Sequence, residues 1–455
     1  MHMIRKKWDG ELEQLLKQDP IAMGMLGKQT VCDQVYRPLK YILTAEEADK
    51  KIFYNLLTHE MIAVKLNELK LQETRNYLIE NWYMVQEDHN DQQLVDECRA
   101  VLTLMNSWPK KIHLFYIFTT LDCNARCFYC YEKRKPGFNM TIETASKAIE
   151  YMQEQVDGAL IKIVWFGGEP LFNYSIIDFM AEGLREKGLQ FESDMVSNGL
   201  LFDRLLIEKA RYSWNLKTVQ ITLDGTRQVY SRVKAYVTDV TDPFEKVIQN
   251  IKQLLMMEIK VLVRLNIGFH NYNDIRELVD FLCEEFRGEK NLNVYTSPLL
   301  ELKDYNKDKK EYIYELQDEL NNKLERAFFK KRKKFFETFA NSSCMASGQE
   351  AVTILPDGKI GICPNVVSDV LLGDIYTKEF NVKVREDFRR RFYREDKCSS
   401  CPLYPNCYIV SGCPNRIGGE GCDPVKVKRE IGKIREKMKI RCRISTFGDE
   451  PVARH

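Results

Sequence analysis

The 455-residue sequence has no long hydrophobic run and no excess of charge of either sign. Its apolar stretches, such as 261–267, are short and contain charged residues, so a membrane span is not expected. The basic residues near the start have no hydrophobic segment behind them, so a signal peptide is not expected either. A net charge of +2 gives no reason to expect nucleic acid or a membrane as a partner. We therefore expect a cytoplasmic protein.

Disulfides are not expected, although the chain has 14 cysteines, because cytoplasmic thiols stay reduced. Most of the cysteines fall into spaced groups, which indicates metal ligands. Cys32, Cys98 and Cys283 lie outside these groups in amphipathic patterns, and we interpret them as buried apolar residues. With 44% apolar residues the chain can bury a full core, and its length favours two to three domains of ~150 residues each.

A loop of closely spaced cysteines, Leu121–Cys130, directly follows the apolar run 112–120. Cys123, Cys127 and Cys130 form a C-x3-C-x2-C array. Iron–sulfur clusters normally take four cysteines, so three thiolates can hold three irons of a four-iron cluster and leave the fourth iron for another ligand. A zinc site is the alternative, but zinc sites usually show two C-x2-C-like pairs.

Strand-like and helix-like patterns alternate from about 110 to 300, which predicts a parallel α/β unit. The predicted strands are 112–120, 161–167, 192–197, 218–224, 261–268 and 292–296. Active sites of such sheets lie at the carboxyl ends of the strands. The polar motifs of this chain fall at those ends, including Gly-Gly-Glu-Pro at 167–170.

The sequence resembles the radical S-adenosylmethionine (SAM) superfamily in its cysteine spacing and in its Gly-Gly-Glu-Pro motif. The resemblance implies a partial, TIM-like (β/α)6 barrel. It also implies that the open iron is chelated by the amino and carboxylate groups of SAM's methionine moiety. The glycines Gly167 and Gly168 allow close approach of a ligand, Glu169 can accept from the SAM ammonium, and Tyr129 packs near the adenine.

Other strand ends supply further predicted SAM contacts. The resemblance carries hydroxyl and amide contacts over to Ser197, Asn198 and Thr222, where threonine replaces the usual serine. Asp224 and Gly225 after the fourth strand can alternatively form a simple turn. Arg264, with Asn266 on the same strand, needs a partner if buried. A SAM carboxylate is one candidate partner, and an internal salt bridge is the other.

A second set of cysteines resembles the SPASM extension of radical SAM enzymes, which holds two auxiliary four-iron clusters. The implied ligands of the first auxiliary cluster are Cys344, Cys363 and Cys413, which leaves one iron open. Those of the second are Cys398, Cys401, Cys407 and Cys422. The family's closing C-x3-C step is C-x5-C here, and Cys442 is an alternative to Cys422. Two zinc ribbons are the alternative interpretation of this region.

The segment before the cysteine loop predicts a small α+β, winged-helix-like domain. A hairpin is expected over 53–57 and 60–64, followed by a helix. In related peptide-modifying enzymes such a domain recognises a leader peptide by adding it to a sheet edge, although a purely structural role is equally consistent. The predicted domains are 1–105 for leader recognition, 106–305 for the barrel, 306–342 for a helical linker and 343–455 for the SPASM region.

Together these features predict an oxygen-sensitive oxidoreductase that contains SAM and three [4Fe-4S] clusters. Its implied chemistry is hydrogen abstraction by a 5′-deoxyadenosyl radical, with electrons from a flavodoxin- or ferredoxin-type reductant. The predicted substrate is a ribosomally made, cysteine-rich precursor peptide with a leader, and the predicted product is a thioether between cysteine sulfur and carbon. The alternatives are a carbon–carbon crosslink, formylglycine formation in a sulfatase, or an iron–sulfur redox or sensor protein.

Overall fold

The computed structural model of the protein describes residues 2–5, 27–97, 111–130, 137–156, 158–299, 306–328, 345–346, 350–365, 370–381, 383–390, 398, 400–407 and 424–447. The chain divides into two compact units. The first contains 1–108, 332–344 and 391–455, and the second contains 109–331 and 345–390.

The described strands are β1 His2–Arg5, β2 Tyr36–Pro38, β3 Ile42–Glu47, β4 Lys50–Asn55, β5 Met61–Lys65, β6 Met84–Gln86, β7 Leu114–Thr120, β8 Ile161–Gly167, β9 Phe191–Ser197, β10 Leu216–Leu223, β11 Lys260–Ile267, β12 Leu292–Pro298, β13 Ala351–Ile354, β14 Lys359–Gly361 and β15 Leu371–Asp374. The described helices are α1 Gln72–Glu80, α2 Ile142–Val156, α3 Tyr174–Glu186, α4 Arg204–Tyr212, α5 Arg227–Lys234, α6 Pro243–Met256, α7 Asp274–Glu285, α8 Lys307–Ala327, α9 Lys383–Arg390 and α10 Pro424–Phe447.

The first unit is built around an antiparallel sheet in the order β1-β5-β4-β3. The predicted hairpin is β4–β5, which pairs Phe53 with Ile62, and the predicted helix follows as α1. Residues distant in sequence complete the core of this sheet. Tyr404 stacks on Tyr41 with ring centroids 6.2 Å apart, and Met438 of α10 is fully buried in the same cluster.

The second unit contains the sheet β12-β11-β10-β9-β8-β7-β13-β14-β15. Strands β7 to β12 are parallel, neighbour each other in chain order and alternate with helices. The predicted six-strand α/β arrangement is therefore confirmed, with strand ends that differ by up to two residues. Strands β13 to β15 were not predicted, and β13 extends the sheet by pairing with β7 in parallel.

Alternation along β10 and β11 separates apolar from polar side chains. Val219, Ile221 and Leu223 of β10 are fully buried. The intervening residues face the other way, and Thr222 stands opposite Arg264 of β11 in the register. The polar face of the parallel sheet therefore carries several predicted site residues side by side.

The compact units divide the chain differently from the predicted domains. Residues 345–390 group with the barrel, whereas 391–455 group with the amino-terminal unit. The four predicted domains and their roles stay a prediction. Within the described part of the chain, no helix combines the length and the apolar character that a membrane crossing requires.

Candidate active site

The cysteine loop begins where β7 ends, at the carboxyl edge of the parallel sheet. Cys123 and Cys127 are half-buried, and Cys130 is exposed. The loop is tightly turned, because the Cys130 amide donates to the Cys127 carbonyl at 3.1 Å and the Ala125 amide donates to Cys123 Sγ at 3.4 Å. All three thiols thus lie on one short segment at the sheet edge where α/β proteins bind ligands.

The two glycines at the end of β8, Gly167 and Gly168, pack directly against this loop. The Gly168 amide donates to the Thr120 carbonyl at 3.0 Å, and the Glu169 amide donates to the Asp122 carbonyl at 2.8 Å. A Cβ on Gly168 would lie 2.1 Å from the Asp122 carbonyl oxygen, and one on Gly167 would lie 2.1 Å from that of Thr120. Glycine is therefore required for the backbone of β8 to hold the cysteine loop. The approach of a ligand to the same glycines stays a prediction.

Glu169 is fully buried at the end of β8. Its carboxylate accepts from Ser197 Oγ at 2.8 Å, from the Asn198 amide at 2.7 Å and from the Leu171 amide at 3.3 Å. Burial raises the pKa of Glu169 to about 7, because the loss of water outweighs these donors. Three predicted SAM contacts, the buried Glu169 and Ser197 and the half-buried Asn198, thus form one cluster.

Asn198 connects this cluster to the cysteine loop. Its Nδ2 donates to Asn124 Oδ1 at 2.6 Å and lies 4.0 Å from Cys123 Sγ. Burial, followed by the nearby charge of Glu169, raises the pKa of Cys123 to about 12. Metal ligation requires the thiolate, so iron binding must release a proton from Cys123.

The hydroxyl of Tyr129 is held by a buried ion pair. It lies 2.8 Å from both carboxylate oxygens of Asp224, to which it donates, and it accepts from Lys234 Nζ at 3.3 Å. Lys234 Nζ and Asp224 Oδ2 are 3.0 Å apart, and their side chains are 4% and 0% exposed. Asp224 is therefore more than part of a turn. Lys234 was missed by sequence reasoning, because it lies in an ordinary polar helix pattern.

Arg264 and Asn266 extend the same network along β11. Arg264 Nε donates to Asn266 Oδ1 at 3.0 Å, and Asn266 Nδ2 donates to Asp224 Oδ1 at 2.9 Å. No carboxylate among the described residues forms an ion pair with Arg264, so the internal-salt-bridge alternative gains no support there. Thr222 lies beside Arg264 on the neighbouring strand.

The second cysteine set is described in part. Cys363 is buried just after β14, and the Asn365 amide donates to its sulfur at 3.4 Å. Cys398, Cys401 and Cys407 of the other unit are half-buried. Cys344, Cys413 and Cys422 lie outside the described residues. The two auxiliary ligand sets therefore stay a prediction.

The remaining cysteines have different environments. Cys442 is 2% exposed in the apolar core of the first unit, and its role as an alternative to Cys422 stays a prediction. The interpretation of Cys32 as buried is wrong, because it is exposed in the segment before β2. Cys283 on α7 is half-buried, and Cys98 lies outside the described residues.

The cysteine loop supplies three thiols, the ligand type that both iron–sulfur clusters and zinc take. Among the described residues, no three His, Cys, Asp or Glu side chains converge closely enough to hold one metal ion. A [4Fe-4S] cluster bonds each cysteine to a different iron, so thiols spread along a loop fit it. Beside them stands a buried carboxylate, Glu169, able to bind a ligand ammonium.

Fold and site together define a class: an α/β protein with a three-cysteine loop at the carboxyl end of the first strand of a parallel sheet. Residues 117–282 match the model of the Radical SAM superfamily. The chain therefore contains a radical SAM domain, which confirms that part of the resemblance.

Similar proteins were found by sequence and by structure. GTP 3′,8-cyclase of Clostridium perfringens strain 13 is 27% identical over 184 residues, which are 40% of this chain and 55% of that protein. The structure described as native anSMEcpe with bound AdoMet and Cp18Cys peptide aligns with this chain at a TM-score of 0.53 and 16% sequence identity. The alignment covers 73% of this chain and 99% of the anSMEcpe chain. Streptococcus suis SuiB bound to precursor peptide SuiA has a TM-score of 0.50 at 17% identity, with coverages of 86% and 99%.

The sequence and structural similarities support different conclusions. The chain spans about half the length of the GTP 3′,8-cyclase that it matches. The two solved structures share too little sequence with this chain to show more than a common fold, and they confirm the α/β fold class.

Proposed function

We propose that the protein is a radical SAM enzyme that modifies a ribosomally made precursor peptide. The observation that carries this proposal is the contact between the cysteine loop and the cluster of Glu169, Ser197 and Asn198. This contact brings iron ligands beside groups suited to a SAM ammonium. The match of 117–282 to the Radical SAM superfamily supports it independently.

Cys123, Cys127 and Cys130 would hold three irons of a [4Fe-4S] cluster. Together with bound SAM, that cluster supplies a 5′-deoxyadenosyl radical able to abstract hydrogen from an unactivated carbon. The protein's own contribution is to position the two cofactors and to exclude water. Glu169 is oriented by its donors Ser197 and Asn198, so its carboxylate needs little rearrangement to accept from an ammonium.

The polar face of β10 and β11 would hold the rest of SAM. The terminal guanidinium nitrogens of Arg264 have no carboxylate partner among the described residues, so they can bind the SAM carboxylate. Thr222 offers a hydroxyl beside Arg264, and Asn266 fixes the Arg264 side chain. Tyr129 has its hydroxyl bound to Asp224, which leaves its ring for contact with the adenine.

A peptide substrate is supported by the structural neighbours, because anSMEcpe is described with the Cp18Cys peptide and SuiB with its precursor peptide SuiA. The antiparallel sheet of the first unit suits a leader peptide, since an extended peptide can add to a sheet edge. We propose no nucleic-acid or membrane partner. Electrons would come from a flavodoxin- or ferredoxin-type reductant.

The proposed product is a thioether between a peptide cysteine and carbon. It rests on the predicted first auxiliary cluster, for which Cys344, Cys363 and Cys413 supply three ligands and leave one iron for a substrate thiolate. The second auxiliary cluster would use Cys398, Cys401, Cys407 and Cys422. Forming the C–S bond removes one hydrogen from carbon and one proton from sulfur, and an auxiliary cluster takes up the remaining electron.

Mass spectrometry of a cysteine-rich peptide encoded beside the gene tests the product. We expect the peptide to lose two hydrogens and to have one cysteine fewer open to alkylation. Loss of two hydrogens with every cysteine still alkylated would indicate a carbon–carbon crosslink instead. An aldehyde at a single cysteine or serine would indicate formylglycine. An unchanged peptide, with no 5′-deoxyadenosine released, would favour a redox or sensor protein.

A further inference from the structure

Helix α5 and the segment that follows it contact the cysteine loop at three separate points. The Arg126 amide donates to the Lys234 carbonyl at 2.8 Å, and the Val237 amide donates to the Asn124 carbonyl at 2.8 Å. The third point is the Tyr129 side chain, which the buried Asp224–Lys234 pair holds. The end of α5 and the residues just after it therefore contact the loop on both sides of Cys127.

Lys234 belongs to this contact through its side chain as well as its backbone. Its ammonium is 3.0 Å from Asp224, 3.3 Å from the Tyr129 hydroxyl and 6.0 Å from the centre of the Tyr129 ring. It also lies within electrostatic range of the Cys127 sulfur. The lysine thus neutralises the carboxylate that orients Tyr129.

A buried ion pair adds little net stability compared with packed apolar residues. Breaking it by removing one partner is costly, however, because the other charge stays buried. Without Lys234, the Asp224 carboxylate would face Tyr129 and Asn266 with no counter-charge, and the hydrogen bonds of the network would have to rearrange. Tyr129 lies between Cys127 and Cys130, so such a rearrangement reaches two cluster ligands.

We propose that Lys234 is a positioning residue that fixes the cysteine loop through Asp224 and Tyr129. This inference rests on the proposed function, since the loop is positioned for a cluster and for SAM. By holding Tyr129, Lys234 would fix the positions of the cluster ligands Cys127 and Cys130 relative to Glu169. SAM must reach both groups at once, so a displaced loop weakens SAM binding before it affects the fold.

The test measures SAM binding by equilibrium dialysis in anaerobically reconstituted full-length protein. We expect Lys234→Met and Tyr129→Phe each to weaken SAM binding about tenfold, the scale of a ~1.4 kcal/mol contact. If Lys234 acts through Tyr129, the double variant binds SAM no more weakly than the weaker single variant. Lys234→Arg keeps the charge and should restore most of the affinity.

Two further variants guard against a simple folding defect. Lys234→Met combined with Asp224→Asn removes both buried charges, so it should fold while SAM binding stays weak. Lys209→Met is the matched control, because it also removes a lysine that forms an ion pair. That lysine lies on α4 and is half-buried, and its partner Asp178 lies on α3, so neither is on α5. Its SAM affinity should equal that of the wild type.

Several outcomes would overturn the proposal. One is wild-type SAM affinity in a folded Lys234→Met variant. Another is a double variant in which the losses of SAM affinity caused by Lys234→Met and by Tyr129→Phe multiply. Failure of the proposed function has a different signature. In that case the wild-type protein binds no SAM and releases no 5′-deoxyadenosine, which overturns both.

Discussion

At the scale of single residues, Glu169 shows how burial and hydrogen bonding oppose each other. Three donors favour its carboxylate, yet full burial still raises its pKa to about 7. The protonated form is favoured in the folded state, so the free energy of unfolding of the SAM-free protein falls as pH rises through the range from the ordinary pKa to about 7. Binding of a ligand ammonium depends on pH in the opposite direction, because it requires the ionised carboxylate of Glu169.

SAM affinity should therefore rise with pH. We expect binding at pH 7 to be about fivefold tighter than at pH 6, as ionisation of one group with a pKa near 7 requires, since an α-amino group with its ordinary pKa near 8 stays mostly protonated over this range. Glu169→Gln should bind weakly and lose this dependence, while Lys209→Met should keep it. Equilibrium dialysis across this pH range measures both effects. A flat profile for the wild type would show that Glu169 does not bind the ammonium.

Gly168 is the second residue for which the structure gives a testable prediction, because it contacts the backbone of the cysteine loop. A Cβ there would overlap the Asp122 carbonyl, so Gly168→Ala must push the cysteine loop away from β8. We expect it to cost ~1–3 kcal/mol of stability and to lower the iron content after reconstitution. Gly432→Ala is the control, because a Cβ at Gly432 on α10 meets no atom within 4 Å. Normal iron content in a folded Gly168→Ala variant would contradict this account of the glycine.

Much of the site could be predicted at this scale, and the reason is local spacing. Cys123, Cys127 and Cys130 stand in one segment, and the Gly-Gly-Glu-Pro motif follows the next strand, so a one-dimensional pattern identifies them. Lys234 carries no such signal. Only the fold shows that its helix ends against the cysteine loop and that its charge is buried beside Asp224.

At the scale of elements, β13 shows what local patterns cannot provide. It pairs in parallel with β7, matching Ala351 to Leu114 across more than half of the chain. The six strands β7 to β12 were predictable because helices alternate with them and each strand pairs with its neighbour in sequence. A strand that joins from so far away has no such regularity, and its position follows from tertiary pairing alone.

Arg385 stabilises this added strand. Its guanidinium donates to the Met345 carbonyl at 2.8 Å and to the Ala351 carbonyl at 2.7 Å, and the residue is 9% exposed. Arg385→Met should remove the guanidinium donor from both carbonyls, at a cost of ~1–3 kcal/mol.

Hydrogen exchange measures this effect on β13. We expect amides of 351–354 to exchange about tenfold faster in Arg385→Met, as a loss of ~1.4 kcal/mol implies. The control is Arg204→Met, which removes an arginine whose side chain is 92% exposed on α4. Unchanged exchange at 351–354 would show that other contacts hold β13.

At the scale of the whole molecule, each compact unit is assembled from distant segments. The amino-terminal sheet takes part of its core from Tyr404 and Met438, which follow the barrel in sequence. The predicted SPASM domain, 343–455, includes these residues and stays a prediction, since cysteine spacing says nothing about which sheet a segment packs against. The described packing shows that α10 belongs to the first unit.

A change near the end of the chain should therefore destabilise the amino-terminal sheet. Met438 is 0% exposed, so Met438→Ala should cost ~2–5 kcal/mol through lost packing and a cavity. Limited proteolysis within 27–97 should become faster. Ile440→Ala on the same helix is the control, since Ile440 is 41% exposed. Equal proteolysis of the two variants would contradict this packing role.

The central claim is that the cysteine loop holds a cluster that works together with SAM. The direct measurement is 5′-deoxyadenosine release by anaerobically reconstituted, reduced protein supplied with SAM. We expect release by the wild type and by Cys32→Ala, which changes an exposed cysteine elsewhere. We expect none when Cys123, Cys127 and Cys130 are all replaced by alanine. Equal release by that triple variant, or no release by the wild type, would contradict the account.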